Sequence, residues 1–237
     1  MMHTPPLFAT GQYQALVVGS SGAIGGAFAK AFQADPRCTH VELVSRDSSS
    51  DFDLTDHESI RAQAILSSAR GPYQIIIDAT GALAINGVGP EKALNSLHPE
   101  HLMQAYLINT IGPAMVLRYF APLLAKGSSV YAKLSARVGS ITDNQKGGWY
   151  GYRSSKAALN MILQTAAIEL QRKNPALHVV ALQPGTVRST LSQAFTSSAS
   201  PVLEPAQSVS GMLHALKALQ PKSGAYFLDY QGIEIPW

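Results

Sequence analysis

The chain has 237 residues, 46% hydrophobic and 14% charged, a balance that suits one compact domain with a large buried core and excludes extensive disorder. Its 18 Lys and Arg are scattered and leave a net charge of only +3, so neither a nucleic-acid partner nor an anionic membrane surface is expected, and no apolar run reaches spanning length. The single Cys38 excludes an internal disulfide, and no Cys or His pattern has zinc-site spacing. Met1 to Thr10 lacks a basic region followed by an apolar stretch, so a cytoplasmic protein is expected, with residues 1–12 as an N-terminal extension.

Strand-like and helix-like segments alternate, and alternation predicts an α/β fold: a Rossmann-type, doubly wound parallel sheet with helices on both faces in a single domain over 1–237. The first strand is Ala15-Leu-Val-Val18, followed by a glycine loop, a helix from Ala23 to Phe32, and a second strand, Val41-Glu-Leu-Val44. A short extended piece is expected around Phe52, then a helix from about His57 to Ser67. Tyr73-Gln-Ile-Ile-Ile77 is almost continuously apolar, as a strand covered on both faces should be. A long helix is predicted over Pro99 to Leu124, with Pro113 marking a kink or local break. His98 and His101 read as the start of that helix, not as a metal pair. Ser129 to Leu134 is the next strand, Ala157 to Leu170 a helix, His178 to Leu182 a strand, Ala206 to Leu219 the last helix, and Ala225 to Leu228 an edge strand. Residues 189–206, rich in Ser, Ala and Pro, show no periodicity and are expected to form a mobile lid over a site.

Three features carry chemistry. The loop Gly19, Ser20, Ser21, Gly22, Ala23, Ile24, Gly25 follows a strand and opens a helix. Glycines there let the backbone approach a pyrophosphate, and the helix N-terminus offers unpaired N–H groups, so a dinucleotide is the expected ligand. A site specific for NAD usually ends its second strand in an acid; here that strand ends Ser45-Arg46. A hydroxyl and a guanidinium suit a 2′-phosphate, which favours NADP over NAD, although Arg46 also has Asp47 as a neighbour to pair with. In Asp53-Leu54-Thr-Asp56, Asp53 can reach an adenine amino group or serve as a helix-leading acid. Tyr152 and Lys156, four apart on one helix face, form a candidate general acid/base pair, because a nearby ammonium lowers the ordinary phenol pKa of about 10. A Tyr packed over a Lys stem would show the same spacing.

With these motifs in this order, the chain resembles the short-chain dehydrogenase/reductase family over nearly its whole length. The resemblance includes Asp78-Ala-Thr-Gly81, where the family usually shows Asn-Ala-Gly, Asn109 some forty residues before Tyr152, and Pro184-Gly-Thr-Val187 after a late strand. It implies an oxidoreductase in which Tyr152 exchanges a proton with the substrate oxygen and Lys156 binds the nicotinamide ribose. Asn109 would hold a water linked to the lysine, although a polar residue breaking a helix is its plain alternative. Ala79, Thr80 and Gly81 would line the cofactor cleft with Pro184 and Gly185, and Thr186 and Val187 would contact the carboxamide. A homodimer or homotetramer built on the long helices is implied as well.

The chain departs from the family pattern at the substrate-binding serine. In Leu134-Ser-Ala-Arg-Val-Gly-Ser-Ile141, matching Gly139 puts Ala136 where that serine normally stands; Ser135 is the nearest replacement, but adjacent strand residues point to opposite faces, so it substitutes only if the strand end twists or bulges, and Ser140 is more distant. The loop from Gly139 to Tyr152 is a few residues longer than usual, its stretch from Asp143 to Trp149 could supply substrate contacts, and Trp149 and Tyr150 are candidates for the pocket wall. Together with the ending Tyr230-Gln-Gly-Ile-Glu-Ile-Pro-Trp237, it is similar to a branch related to the bacterial cell-to-cell signalling C-factor. The leading expectation is an NADP(H)-dependent enzyme interconverting a carbonyl and an alcohol on a small-molecule substrate. The alternative is a dinucleotide-binding signalling or redox-sensing protein with weak or no catalysis. A nucleotide-sugar epimerase would need an extra substrate domain.

Overall fold

The protein was analysed as a computed structural model, which describes residues 11–47, 51–188 and 202–237. Six strands form one parallel sheet: β1 (Tyr13–Val18), β2 (Cys38–Val44), β3 (Ile75–Asp78), β4 (Ser129–Leu134), β5 (Leu177–Gln183) and β6 (Tyr226–Asp229), in the order β2-β1-β3-β4-β5-β6. The helices are α1 (Ala23–Ala34), α2 (His57–Ser68), α3 (Pro99–Tyr106), α4 (Gly112–Phe120), α5 (Tyr150–Gln171) and α6 (Pro205–Lys217).

Side chains alternate across each strand and feed two cores. Leu16, Val18, Ile76, Tyr131 and Val179 pack with α2, α4 and α5, whereas Ala15, Val17, Ile75, Ile77, Val130 and Val180 pack with α1 and α6. Burial on both faces explains why Ile75–Ile77 of β3 and Val179–Leu182 of β5 read as continuous apolar runs. The register aligns Val18 with Asp78 and Asp78 with Lys133, so these carboxyl ends finish level. After β2 the chain crosses to the far side of β1 and forms β3. That reversal places a crevice at the carboxyl ends of β1 and β3, the usual ligand position in an open α/β sheet.

The short extended piece expected around Phe52 is a loop segment whose Phe52 is buried in the α2 side of the core. The last residue of this connection caps α2, the Asp56 carboxylate accepting from the Glu58 N–H at 2.9 Å. The long helix expected over Pro99 to Leu124 runs unbroken as helical backbone to Leu123, with a local irregularity: α3 passes through a π-turn at Leu107–Ile111 into α4, and Ala121–Leu123 closes as a 3₁₀ turn. The π-turn falls just before Pro113, which has no N–H to carry the helical ladder on from Gly112. The third strand also starts two residues later than expected, at Ile75, with Tyr73 bridging to Leu124 instead. Residues 189–201 of the expected lid, and residues 1–10 of the expected extension, lie outside the described residues.

Candidate active site

The glycine loop turns directly from β1 into α1. Gly19 has φ +83°, and its N–H donates to the Val44 carbonyl at 2.7 Å, tying the loop to the end of β2. A Cβ on Gly25 would stand 2.1 Å from the Gly19 carbonyl oxygen, so the turn closes only around glycine. Gly22 precedes α1 without a side-chain cap, leaving the first-turn N–H groups available to an anion. This is the close-backbone cradle a pyrophosphate needs, and the residues present fit a dinucleotide.

Beyond the cradle, Ser45 is buried and Arg46 exposed at the end of β2. Asp53 accepts from both the N–H and the hydroxyl of Thr55, each at 2.8 Å. Those bonds hold its carboxyl below the usual range, and the Arg46 charge lowers it further. Ser45, Arg46, Asp53 and Leu54 therefore sit beside β2 and ahead of α2; they do not line the central cleft.

That cleft, about 360 Å³, is walled by Gly22 to Gly25, Ala79 to Leu83, Leu134 to Val138, Gln183 to Val187, and by Trp149, Tyr152 and Lys156. A larger groove between α1 and α6 is lined by Ser21, Gly22 and Ala23, but by none of Tyr152, Lys156, Asn109 or Ser135. Pro184 fixes one wall by accepting from the Ser208 hydroxyl at 2.6 Å, and Thr186 accepts from the Leu203 N–H at 2.8 Å.

Tyr152 and Lys156 lie in the first turns of α5, with the Lys156 Nζ 5.7 Å from the centre of the tyrosine ring. The ammonium donates to the Leu134 carbonyl at 3.2 Å. Burial brings Lys156 down to about 7, assisted by the Lys133 charge and opposed by Asp78. Burial also pushes the Tyr152 phenol up to about 12, so the lowering expected from the neighbouring ammonium is absent. Near neutrality the phenol holds its proton. Trp149 meets Tyr152 edge-on, ring centres 6.2 Å apart.

Asn109 sits in the π-turn, fully buried. Its amide closes on one peptide of the opposite loop: the Ala82 N–H donates to Oδ1 and Nδ2 donates to the Ala82 carbonyl, both at 2.9 Å. Thr110 donates from its hydroxyl to the Ser155 carbonyl at 2.8 Å and ties the same turn to α5. Gly81 has φ +126°, and a Cβ there would come within 3.0 Å of Asn109 Oδ1 and 3.3 Å of Lys156 Nζ.

Ser135 lies on the cleft wall, but its hydroxyl donates to Asn160 Oδ1 on α5 at 2.6 Å. Its N–H donates to the Leu182 carbonyl, so the β4–β5 ladder runs one residue past Leu134 and alternation turns the side chain toward α5. Asn160 keeps a buried Nδ2 with no partner.

Two charged residues at the site escape a reading of motifs. Lys133, wholly buried, donates to Asp78 Oδ1 at 2.9 Å, to the Thr80 carbonyl at 2.6 Å and to the Thr80 hydroxyl at 3.0 Å. Asp78 in turn accepts from the Thr80 N–H and hydroxyl, so the pair pins the loop that follows β3. A lysine within an apolar strand and an aspartate ending the neighbouring one are the sequence signal for this pair. Glu91 is the other, in a loop that has no motif at all.

The fold and the cleft define a single-domain, dinucleotide-binding α/β protein with an ionisable Tyr–Lys pair beside the cofactor cradle. Residues 13–200 match the profile of the short chain dehydrogenase family, and the chain belongs to the short-chain dehydrogenase/reductase family. It is an NAD(P)-dependent oxidoreductase that uses a nicotinamide dinucleotide. It is 32% identical over 168 residues to the C-signal of Myxococcus xanthus, covering 70% of this chain and 94% of that one. It is also 31% identical over 186 residues to the 1-hydroxy-2-glutathionyl-2-methyl-3-butene dehydrogenase of Rhodococcus sp. (strain AD45), 78% of either chain. Among solved structures, the NADPH-bound carbonyl reductase from chicken fatty liver superimposes with a TM-score of 0.81 at 22% identity, over 99% of this chain and 97% of that one. Among the described residues, no helix is long and apolar enough to cross a membrane.

Proposed function

We propose that the protein is an NADP(H)-dependent reductase and dehydrogenase that interconverts a carbonyl and an alcohol on a small molecule, with Tyr152 as the general acid/base. The observation that carries this reading is the placing of Tyr152 and Lys156 on one turn of α5 in the cleft walled by the glycine loop. The bound dinucleotide supplies or takes the hydride. In reduction, Tyr152 gives its proton to the substrate oxygen; in oxidation it takes that proton back. A phenol held at about 12 by burial is protonated at neutral pH, which suits the reductive direction. Lys156 would hold the nicotinamide ribose, and Asn109 would orient the water beside it. Gly19 to Gly25 would cradle the pyrophosphate, and Arg46 with Ser45 would take the 2′-phosphate. The NADPH bound to the chicken carbonyl reductase supports the same preference. Ser135 is the remaining hydroxyl for the substrate oxygen: with its proton on Asn160 Oδ1 it can accept from a substrate alcohol, and it binds a carbonyl oxygen only by turning that proton away from Asn160.

Fluorescence titration with NADPH and NADH, followed by turnover of a carbonyl panel, tests the assignment. Tyr152→Phe should lose at least about a hundredfold in kcat with little change in NADPH affinity, and Arg46→Ala should weaken NADPH more than NADH. Equal turnover by Tyr152→Phe would sink the mechanism. Ala136, which offers no hydroxyl, and the likeness to C-signal favour a second reading, a dinucleotide-binding signalling protein. Tight NADPH binding without turnover of any carbonyl, unaffected by Lys156→Met, would support it.

Apolar side chains exposed along the long helices, Met103, Met161 and Ile168 among them, support a homodimer or homotetramer assembled on that face, which light scattering would test.

A further inference from the structure

Helix α5 begins without help from its own cap. Trp149, at the N-cap, makes no side-chain cap and sits at φ +54°, in the left-handed region that side chains other than glycine rarely adopt. Gly147 and Gly148, at φ +62° and +65°, lead into it. What meets this irregular start is Glu91, from the loop between β3 and α3. Its main-chain carbonyl accepts from the Trp149 N–H at 2.5 Å, and its carboxylate Oε2 accepts from the Gly151 N–H at 2.9 Å. Glu91 is only 9% exposed. A carboxylate at a helix N-terminus also faces the positive end of the helix dipole. A Cβ on Gly151 would stand 2.8 Å from Glu91 Oε1, so glycine at 151 makes room for the carboxylate. The next residue is Tyr152.

We infer that Glu91 is a positioning residue for the acid/base pair: it grips the first turn of α5 from outside the helix and sets where Tyr152 stands. The stretch that ends at Glu91 begins at Ala82, which Asn109 clamps from the π-turn. The loop is therefore held at one end by Asn109 and at the other by the helix of Tyr152. Between those anchors it walls a cavity of about 180 Å³ with Leu83, Ile85 and Tyr152. Loop and acid/base helix are thus bonded to each other beside the cavity that Tyr152 helps to wall.

The inference rests on the carbonyl-reductase reading only for its kinetic readout. Glu91→Ala should lower kcat by roughly ten- to a hundredfold, the scale set by small misplacements of a reacting group, while NADPH affinity stays within about twofold. Glu91→Gln keeps an acceptor for the Gly151 N–H and should stay within about threefold of the wild type. Hydrogen exchange at the Gly151 amide should quicken in Glu91→Ala and stay slow in Glu91→Gln. Gly151→Ala should copy the kinetic defect, and the double variant Glu91→Ala/Gly151→Ala should be no worse than the worse single, because removing the carboxylate relieves the contact. Unchanged Gly151 exchange in Glu91→Ala, or additive defects in the double variant, would overturn the inference. If the wild type turns over no carbonyl, the functional reading falls and the exchange comparison still decides the role of Glu91. If Glu91→Ala does not fold, Gly151→Ala and Glu91→Gln carry the test.

Discussion

Lys133 and Lys156 are both withdrawn from water at the carboxyl edge of the sheet, and only Lys133 has a carboxylate against it. A buried ammonium without a counter-ion sheds its proton more easily, and the fixed charge of Lys133 adds to the effect on Lys156. The consequence for stability has a definite sign. The folded chain releases the Lys156 proton near pH 7, whereas the unfolded chain keeps it to about 10.5, so across that window the unfolded state binds more protons and stability rises with pH. Lys156→Met removes the group from both states. Its thermal midpoint should exceed that of the wild type by most at pH 7 and below, and the gap should close toward pH 10. Parallel midpoints across that range would show that Lys156 keeps its proton in the fold. The same titration predicts that NADPH binding weakens above about pH 7, as the charge facing the ribose is lost.

At the scale of elements, the irregular α3–α4 helix shows what periodicity conveys and what it leaves out. Apolar spacing and Pro113 are both visible in the sequence, and together they predict a long helix with a break. The irregularity falls earlier because Asn109 bonds a peptide far away in the chain, at Ala82, and the extra residue of a π-turn aims its amide there. A second long-range contact sits beside it. A Cβ on Gly112 would stand 2.5 Å from the Leu54 carbonyl oxygen and 2.6 Å from Leu54 Cγ, so the turn before α2 crosses α4 through the space a side chain would fill. Gly112→Ala should therefore cost about 1–3 kcal/mol, the usual range for overpacking, and should weaken cofactor binding by displacing Leu54. Urea denaturation and NADPH titration read the two effects. A variant as stable as the wild type would mean that the Asp53–Asp56 turn gives way without resistance. Phe52 lies just ahead of the same turn: an apolar residue between polar ones reads as a short extended piece, and its burial comes from a loop folded onto the core.

For the molecule as a whole, the alternation of apolar runs and helices made the parallel sheet legible, and the order of the glycine loop, Asn109 and the Tyr–Lys pair made one crevice legible, because strand ends gather on one edge. The aim of Ser135 away from the substrate was legible from strand alternation; Glu91 was not legible, since its place is set by backbone partners on another element. The outer edge of β6 belongs to the same class of feature. Gly232 at φ +83° turns the chain back, the Asp229 N–H donates to Ile233 and the Ile235 N–H donates to Phe227, so the C-terminal residues cover an edge that would otherwise invite pairing with another chain. Ile235 is 1% exposed in the α5 side of the core, and Trp237 stacks on Phe227 at 5.3 Å. This cover also reaches the cleft. The Thr142 N–H donates to the Trp237 carbonyl at 3.1 Å, and Arg137, beside Ala136, bonds Asp143 at 3.2 Å and Asp229 at 3.4 Å. The loop beyond β4 thus leans on the tail. Ile235→Ala should cost about 2–4 kcal/mol in chemical denaturation, as expected for a buried isoleucine truncated in a packed core, and should also reduce kcat/KM for a carbonyl substrate, because the tail no longer steadies the loop. A loss of stability with unchanged kcat/KM would separate the two roles and confine the tail to holding the sheet edge.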